Sequence, residues 1–155
     1  MIRMTRLTDY GIVLLTRMAR GGTGTVHNAR DLAGAVGLPL PTVNKILKTL
    51  TRKGLLESHR GVKGGYGLAR MPEEISILEV IDATEGPVAI TDCSSEGEGC
   101  EHEEMCPLDG SWRRINDVIR RALEGITLAE MARPAPVGGE VARLRRHRED
   151  ATTPC

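Results

Sequence analysis

The stretch from residue 28 to residue 69 constrains the fold most: NARDLAGAVG, then LPL, then PTVNKILKTLTRKG, then LLESHRGVKGGYGLA. In the first segment Asn28 is placed to cap a helix, Ala29, Leu32, Ala33 and Val36 share an apolar face, and Gly37 suits a C-terminal stop. Pro41 then suits the first position of a second helix, in which Val43, Ile46, Leu47 and Leu50 face inward and which Gly54 ends. Its outward face, Thr42, Asn44, Lys45, Lys48, Thr49 and Arg52, is polar and cationic. Two short helices joined by a tight turn at 37–40 make a helix-turn-helix pattern. Residues 55–69 then read as strand, glycine-rich tip and strand, with Arg60 and Lys63 near the tip, which is the pattern of a wing.

A helix precedes this unit. LTDYGIVLLTRMAR (7–20) carries Leu7, Gly11, Leu14, Leu15 and Met18 at helical spacing, with Thr8 expected to cap it and Asp9 in the first turn, where a carboxylate suits the helix dipole. The chain has no Phe, one Trp and two Tyr, so its core must be aliphatic, which favours helices over a β-sandwich. The formal net charge of zero hides an asymmetry: residues 1–70 hold 12 Lys/Arg against 3 Asp/Glu, residues 71–131 hold 4 against 15. An excess of nine cations on the helix-turn-helix segment is the footprint of a surface that displaces counterions from DNA phosphates. The expected fold class is mainly α with a small β-hairpin: a winged helix-turn-helix domain over 1–72 and a long C-terminal dimerisation helix.

Between these, SILEVIDATEG (76–86) reads as a connecting helix within 73–90, capped by Ser76. PLDGSWRRINDVIRRALEGITLAEM (107–131) places Trp112, Ile115, Val118, Ile119, Ala122 and Leu123 on one stripe. That stripe needs a partner, and a second copy of the chain is the simplest one, making a homodimer. Thr127 is placed to cap a last turn, and residues 132–155, rich in Pro, Gly and Arg, read as a disordered tail ending in Cys155. No run approaches the ~18 apolar residues of a membrane span, so no membrane association and a cytoplasmic location are expected. No nucleophile–base pattern or phosphate-binding glycine motif suggests an enzyme or a small-molecule substrate.

The acidic loop 91–106 holds Cys93, Cys100 and Cys106. A reducing compartment makes such a cluster more suited to metal binding or redox sensing than to a structural disulfide. Four readings compete: a zinc site that adds His102, a thiol–disulfide switch, unliganded thiols, and an iron-sulfur cluster. Zinc knuckles usually bring a pair of cysteines two to four residues apart, and no C-x-x-C is present, so the iron-sulfur cluster is favoured. Gly97 and Gly99 supply the backbone freedom that wrapping a metal centre demands. A zinc-stabilised regulator without sensing, or a cluster-bearing electron-transfer protein, are the alternatives.

The opening LTDYGIVLL, the wing RGVKGGYGLA, the helix ISILEVIDATEG, the three cysteines and the closing helix together resemble the Rrf2 family of bacterial transcription regulators, which includes the iron-sulfur cluster assembly regulator and a nitric-oxide-sensing repressor. ITLAEM and TDYG look most like the subgroup that controls the SUF cluster-assembly operon. The resemblance implies a homodimer crossed over its C-terminal helices, with each winged helix on one half of a palindromic double-stranded operator. It places Thr42 and Lys45, with Pro41 beside them, in the major groove and Arg60 and Lys63 at the minor groove or backbone. Lys48 joins them as a cation on the same outward face. It also implies a 2Fe-2S or 4Fe-4S cluster on Cys93, Cys100 and Cys106. The fourth ligand is either Asp9 of the partner subunit, which the family pattern favours, or Asp109.

Overall fold

The computed structural model describes residues 4–22, 24–91 and 109–134. Three helices come first: α1 (Arg6–Arg20), α2 (Ala29–Val36) and α3 (Leu40–Arg52). The α2 boundaries follow the sequence signals. Asn28 accepts a hydrogen bond from the Asp31 N–H at 2.8 Å, and Gly37 closes the helix at φ 69°, a left-handed conformation that glycine adopts without strain. One expectation fails at α1. Thr8 does not cap it; the helix begins a turn earlier with Thr5 as N-cap, and Thr8 is a fully buried residue inside the helix.

The hairpin pairs β1 (Leu56–His59) with β2 (Gly65–Leu68) in the register Leu56–Leu68, Glu57–Gly67, Ser58–Tyr66 and His59–Gly65. A further bridge lies on its other edge: the His27 and Tyr66 backbones exchange N–H···O bonds of 2.9 and 2.8 Å, so a piece of the chain before α2 acts as a third strand. This edge is held closed because Gly65 lacks a side chain; a Cβ there would overlap the His27 carbonyl oxygen.

After a 3-10 turn at Pro72–Glu74 come α4 (Ile77–Thr84), α5 (Asp109–Glu124) and α6 (Leu128–Ala132). Ser76 and Thr127 cap α4 and α6 through reciprocal bonds with Glu79 and Glu130. Partial burial raises the Glu79 pKa, but the Arg70 guanidinium at 2.7 Å and the Ser76 N–H outweigh it and leave the carboxyl below its ordinary range. One aliphatic cluster joins these elements: Leu14, Leu15 and Met18 of α1, Val43, Ile46, Leu47 and Leu50 of α3, Ile75, Val80 of α4 and Leu128 of α6 are all essentially inaccessible. The chain returns after α5 to close on itself, with Leu128 N–H donating to Ile75 O at 2.8 Å and Arg20 Nε to Ala132 O at 2.7 Å. Among the described residues no helix is long and apolar enough to cross a membrane.

The α5 stripe divides in two. Asn116 is buried and Trp112, Ile119 and Leu123 are half-buried on the side toward the chain, whereas Ile115 and Val118 remain 44% and 61% exposed.

Candidate nucleic-acid interface and cluster loop

The buried positions of α3 fix which of its residues face solvent. With Val43, Ile46, Leu47 and Leu50 in the core, Pro41, Lys45, Lys48 and Arg52 are exposed, and Thr42 and Thr49 are half-buried at the margin. Arg60 and Lys63 lie on the exposed tip between β1 and β2, flanking a fully exposed Val62. The structure therefore exposes five of the six residues nominated for DNA contact, Pro41, Lys45, Lys48, Arg60 and Lys63, and leaves Thr42 half-buried at the edge of the same face. Between α3 and the hairpin runs an open groove of about 570 Å³ lined by Lys45, Lys48, Thr49, Thr51, Arg52, Ser58 and Tyr66, with three cations and no carboxylate.

Asp9 is exposed in the first turn of α1. That turn is tied down by Glu85, one residue beyond α4: its Oε1 accepts from the Thr5 N–H at 2.7 Å and from the Thr8 hydroxyl at 2.5 Å. These two bonds hold the Glu85 carboxyl below its ordinary pKa. Neither Glu85 nor this role for Thr8 was evident from sequence, because the two residues meet only in the fold.

Cys93, Cys100, Cys106 and His102 lie outside the described residues, as does Cys155; Asp109 is the first residue of α5. What is described is the root of the cysteine loop. Asp82 Oδ1 accepts from the Val88 N–H at 3.1 Å, while Asn116 donates to Val88 O and accepts from the Ile90 N–H, both at 3.2 Å. Asn116 was missed in the sequence because it interrupts an apolar stripe and reads there as surface. Beside this root, Met4, Ile81, Val88, Ile90, Ile119 and Leu123, together with Glu85, line a mainly apolar cleft of about 400 Å³. Among the described residues no group of three or more His, Cys, Asp or Glu side chains could hold a metal ion.

A helix-turn-helix whose second helix and hairpin present one cationic face defines a winged-helix regulator with a helical extension. The chain belongs to the Rrf2 family, whose model, described as an iron-dependent transcriptional regulator, matches residues 4–134. It is 35% identical over 131 residues to a Mycobacterium tuberculosis (H37Rv) protein carrying the name HTH-type transcriptional regulator Rv1287, covering 84% of this chain and 81% of that one. It is also 30% identical over 153 residues to the HTH-type transcriptional regulator IscR of Enterobacter sp. (strain 638), covering 98% and 93%. Among solved structures, CymR of Staphylococcus aureus matches with a TM-score of 0.63 at 27% identity, over 86% of this chain and 100% of that one. The chain is a transcriptional regulator, and its relatives are named as regulators, not enzymes.

Proposed function

We propose that this regulator is an iron-sulfur-cluster-sensing repressor that binds a palindromic operator as a homodimer and controls cluster-assembly genes of the SUF type. The observation that carries the reading is positional: a loop with three cysteines follows a root held by Asp82 of α4 and by Asn116 on the covered side of α5, so it leaves the chain between the winged helix and the helix whose other seam is uncovered. Its donor set fits the group, since thiolates are the principal ligands of such clusters. Cys93, Cys100 and Cys106 would hold a 2Fe-2S or 4Fe-4S cluster, with Asp9 of the partner subunit completing the site and Asp109 as the local rival. When bound, the cluster supplies a redox- and ligand-sensitive centre whose gain or loss depends on oxygen, nitric oxide or iron supply.

The chain's own residues do the rest. Thr42 and Lys45, with Pro41 beside them, enter the major groove, with Lys48 one turn on as a DNA-facing cation; Arg60 and Lys63 reach the minor groove or its phosphates. The exposed Ile115 and Val118 seam of α5 forms the contact between copies. If Asp9 is a ligand, the reading head and the sensor share a helix, so cluster state biases how the two heads sit. A coupling of ~1–3 kcal/mol would change operator affinity roughly 5- to 150-fold.

Anaerobic purification followed by absorbance, native mass spectrometry and operator binding with and without cluster tests this. A brown dimer whose operator affinity changes on cluster loss is expected. A colourless protein containing zinc, or equal affinities in both states, would refute cluster sensing while leaving a DNA-binding regulator. Cluster spectra of Asp9→Ala and Asp109→Ala decide the fourth ligand.

A further inference from the structure

The hairpin face that turns toward α3 changes character along its length. At the root the cross-strand pair is Leu56–Leu68, buried or half-buried in the core; two residues further out the same face carries Ser58–Tyr66, a pair of hydroxyl-bearing side chains lining the groove. Opposite them, Lys45, Lys48, Thr49 and Arg52 fall at i, i+3, i+4 and i+7 and form one polar stripe of α3. Arg52 Nη2 lies 3.4 Å from Thr49 Oγ1, which holds the guanidinium along the groove wall. Core packing accounts for the Tyr66 ring but not for its hydroxyl, for Ser58 or for the row of cations. A groove walled by cations on one side and hydroxyl donors on the other, with no carboxylate, matches a phosphodiester: cations answer its charge and hydroxyls its oxygens.

We infer that this groove seats one sugar–phosphate segment of duplex DNA, with Lys48 and Arg52 as its charge partners and Ser58 and Tyr66 as neutral donors. The inference rests on the reading that α3 enters the major groove and the wing the adjacent minor groove. One DNA strand separates those two grooves, and it must cross the space between α3 and the hairpin. The seat fixes how deep the head docks, is indifferent to base sequence, and adds Arg52, Ser58 and Tyr66 to the contacts nominated on α3 and the wing tip.

The test uses the full chain and two fluorescein-labelled duplexes, one of mixed sequence and one selected by the wild-type protein from a random pool, with anisotropy titrations over a salt series. Lys48→Ala and Arg52→Ala are each expected to weaken binding about tenfold on both duplexes alike. The double variant should lower the slope of log K against log salt by about 0.9, the value of one phosphate. Tyr66→Phe, which keeps the ring's packing, should weaken binding about threefold with the slope unchanged. Lys53→Ala, an exposed neighbouring cation that does not line the groove, is the control and should bind as wild type. A wild-type slope in the double variant, a loss that differs between the two duplexes, or an equal loss in Lys53→Ala would overturn the seat. A wild-type protein that binds neither duplex would instead remove the DNA-binding reading beneath it.

Discussion

Thr8 and Glu85, 77 residues apart in the chain, are joined by a hydrogen bond of 2.5 Å that fastens the first turn of α1 to the end of α4. Thr8 is wholly buried and also lies 2.8 Å from the Thr84 hydroxyl, so its removal takes one hydrogen bond from each, a charge-assisted one from Glu85, which keeps the Thr5 N–H, and a neutral one from Thr84, which keeps the Val80 carbonyl. Thr8→Val keeps the shape and deletes the hydroxyl, and is expected to cost ~1–3 kcal/mol in denaturant unfolding.

The same pair gives a pH dependence of defined sign. The Glu85 pKa in the folded chain is lowered from its ordinary 4.5 by the Thr8 hydroxyl and the Thr5 N–H. Its contribution is therefore complete above about 4.5 and is lost as pH falls through the lower folded-state value. Melting temperatures of wild type and Glu85→Ala should differ near neutrality and converge in acid. A constant gap across that range would show that the ionised carboxylate is not what holds α1.

What sequence could convey follows from how local each signal is. Asn28 and Gly37 bracket α2, and Ser76 and Thr127 cap α4 and α6, through bonds that span three to five residues, and each was legible. The Thr8 misreading has the opposite cause. A threonine near a helix start is equally suited to cap it or to reach across the fold, and its partner lies at Glu85. His27 was silent because a single bridge to Tyr66 imposes no periodicity. The α5 stripe was legible as apolar, but its division into a covered and an uncovered seam depends on where Val88 and Ile90 pack. The solvent-facing, cationic side of α3 followed directly, since burial of Val43, Ile46, Leu47 and Leu50 leaves the cations only one place to go.

Gly65 and Gly67 sit on the same strand and should respond differently to alanine. A Cβ at Gly65 would overlap backbone atoms of His27, whereas one at Gly67 would meet the movable His59 side chain at 3.4 Å. Gly65→Ala should therefore cost ~1–3 kcal/mol by prying the third strand off the wing, and Gly67→Ala less. Chemical denaturation of the two variants provides the comparison, and equal losses would refute the distinction.

The uncovered seam of α5 predicts concentration-dependent assembly. Val118→Glu and Ile115→Glu place charge on residues that are exposed in the single chain, so the fold of each chain should survive. In a symmetric dimer each substitution acts twice, and losing ~1.5–3 kcal/mol per buried side chain would weaken association by at least about 100-fold. Sedimentation equilibrium should show monomer, with helical content retained; an unchanged dimer would place the interface elsewhere.

Asn116 separates the anchoring of the cysteine loop from the rest of the fold. It satisfies Val88 O and the Ile90 N–H, two buried-side backbone groups immediately before the loop, from a position on α5 that is only 4% exposed. Asn116→Leu fits an aliphatic neighbourhood of Ile119 and Leu123 but leaves both backbone groups without that partner, at ~1–3 kcal/mol each. On the cluster-sensing reading, the loop root then loses its register between α4 and α5, and iron and sulfide per chain after anaerobic purification should fall well below wild type. Binding to a duplex of mixed sequence, assigned to α3 and the wing in the proposed function, should be unaffected. Wild-type iron loading in Asn116→Leu would mean that the cysteines organise their site without this anchor, and parallel loss of iron and DNA binding would mean that the substitution disturbs the whole chain.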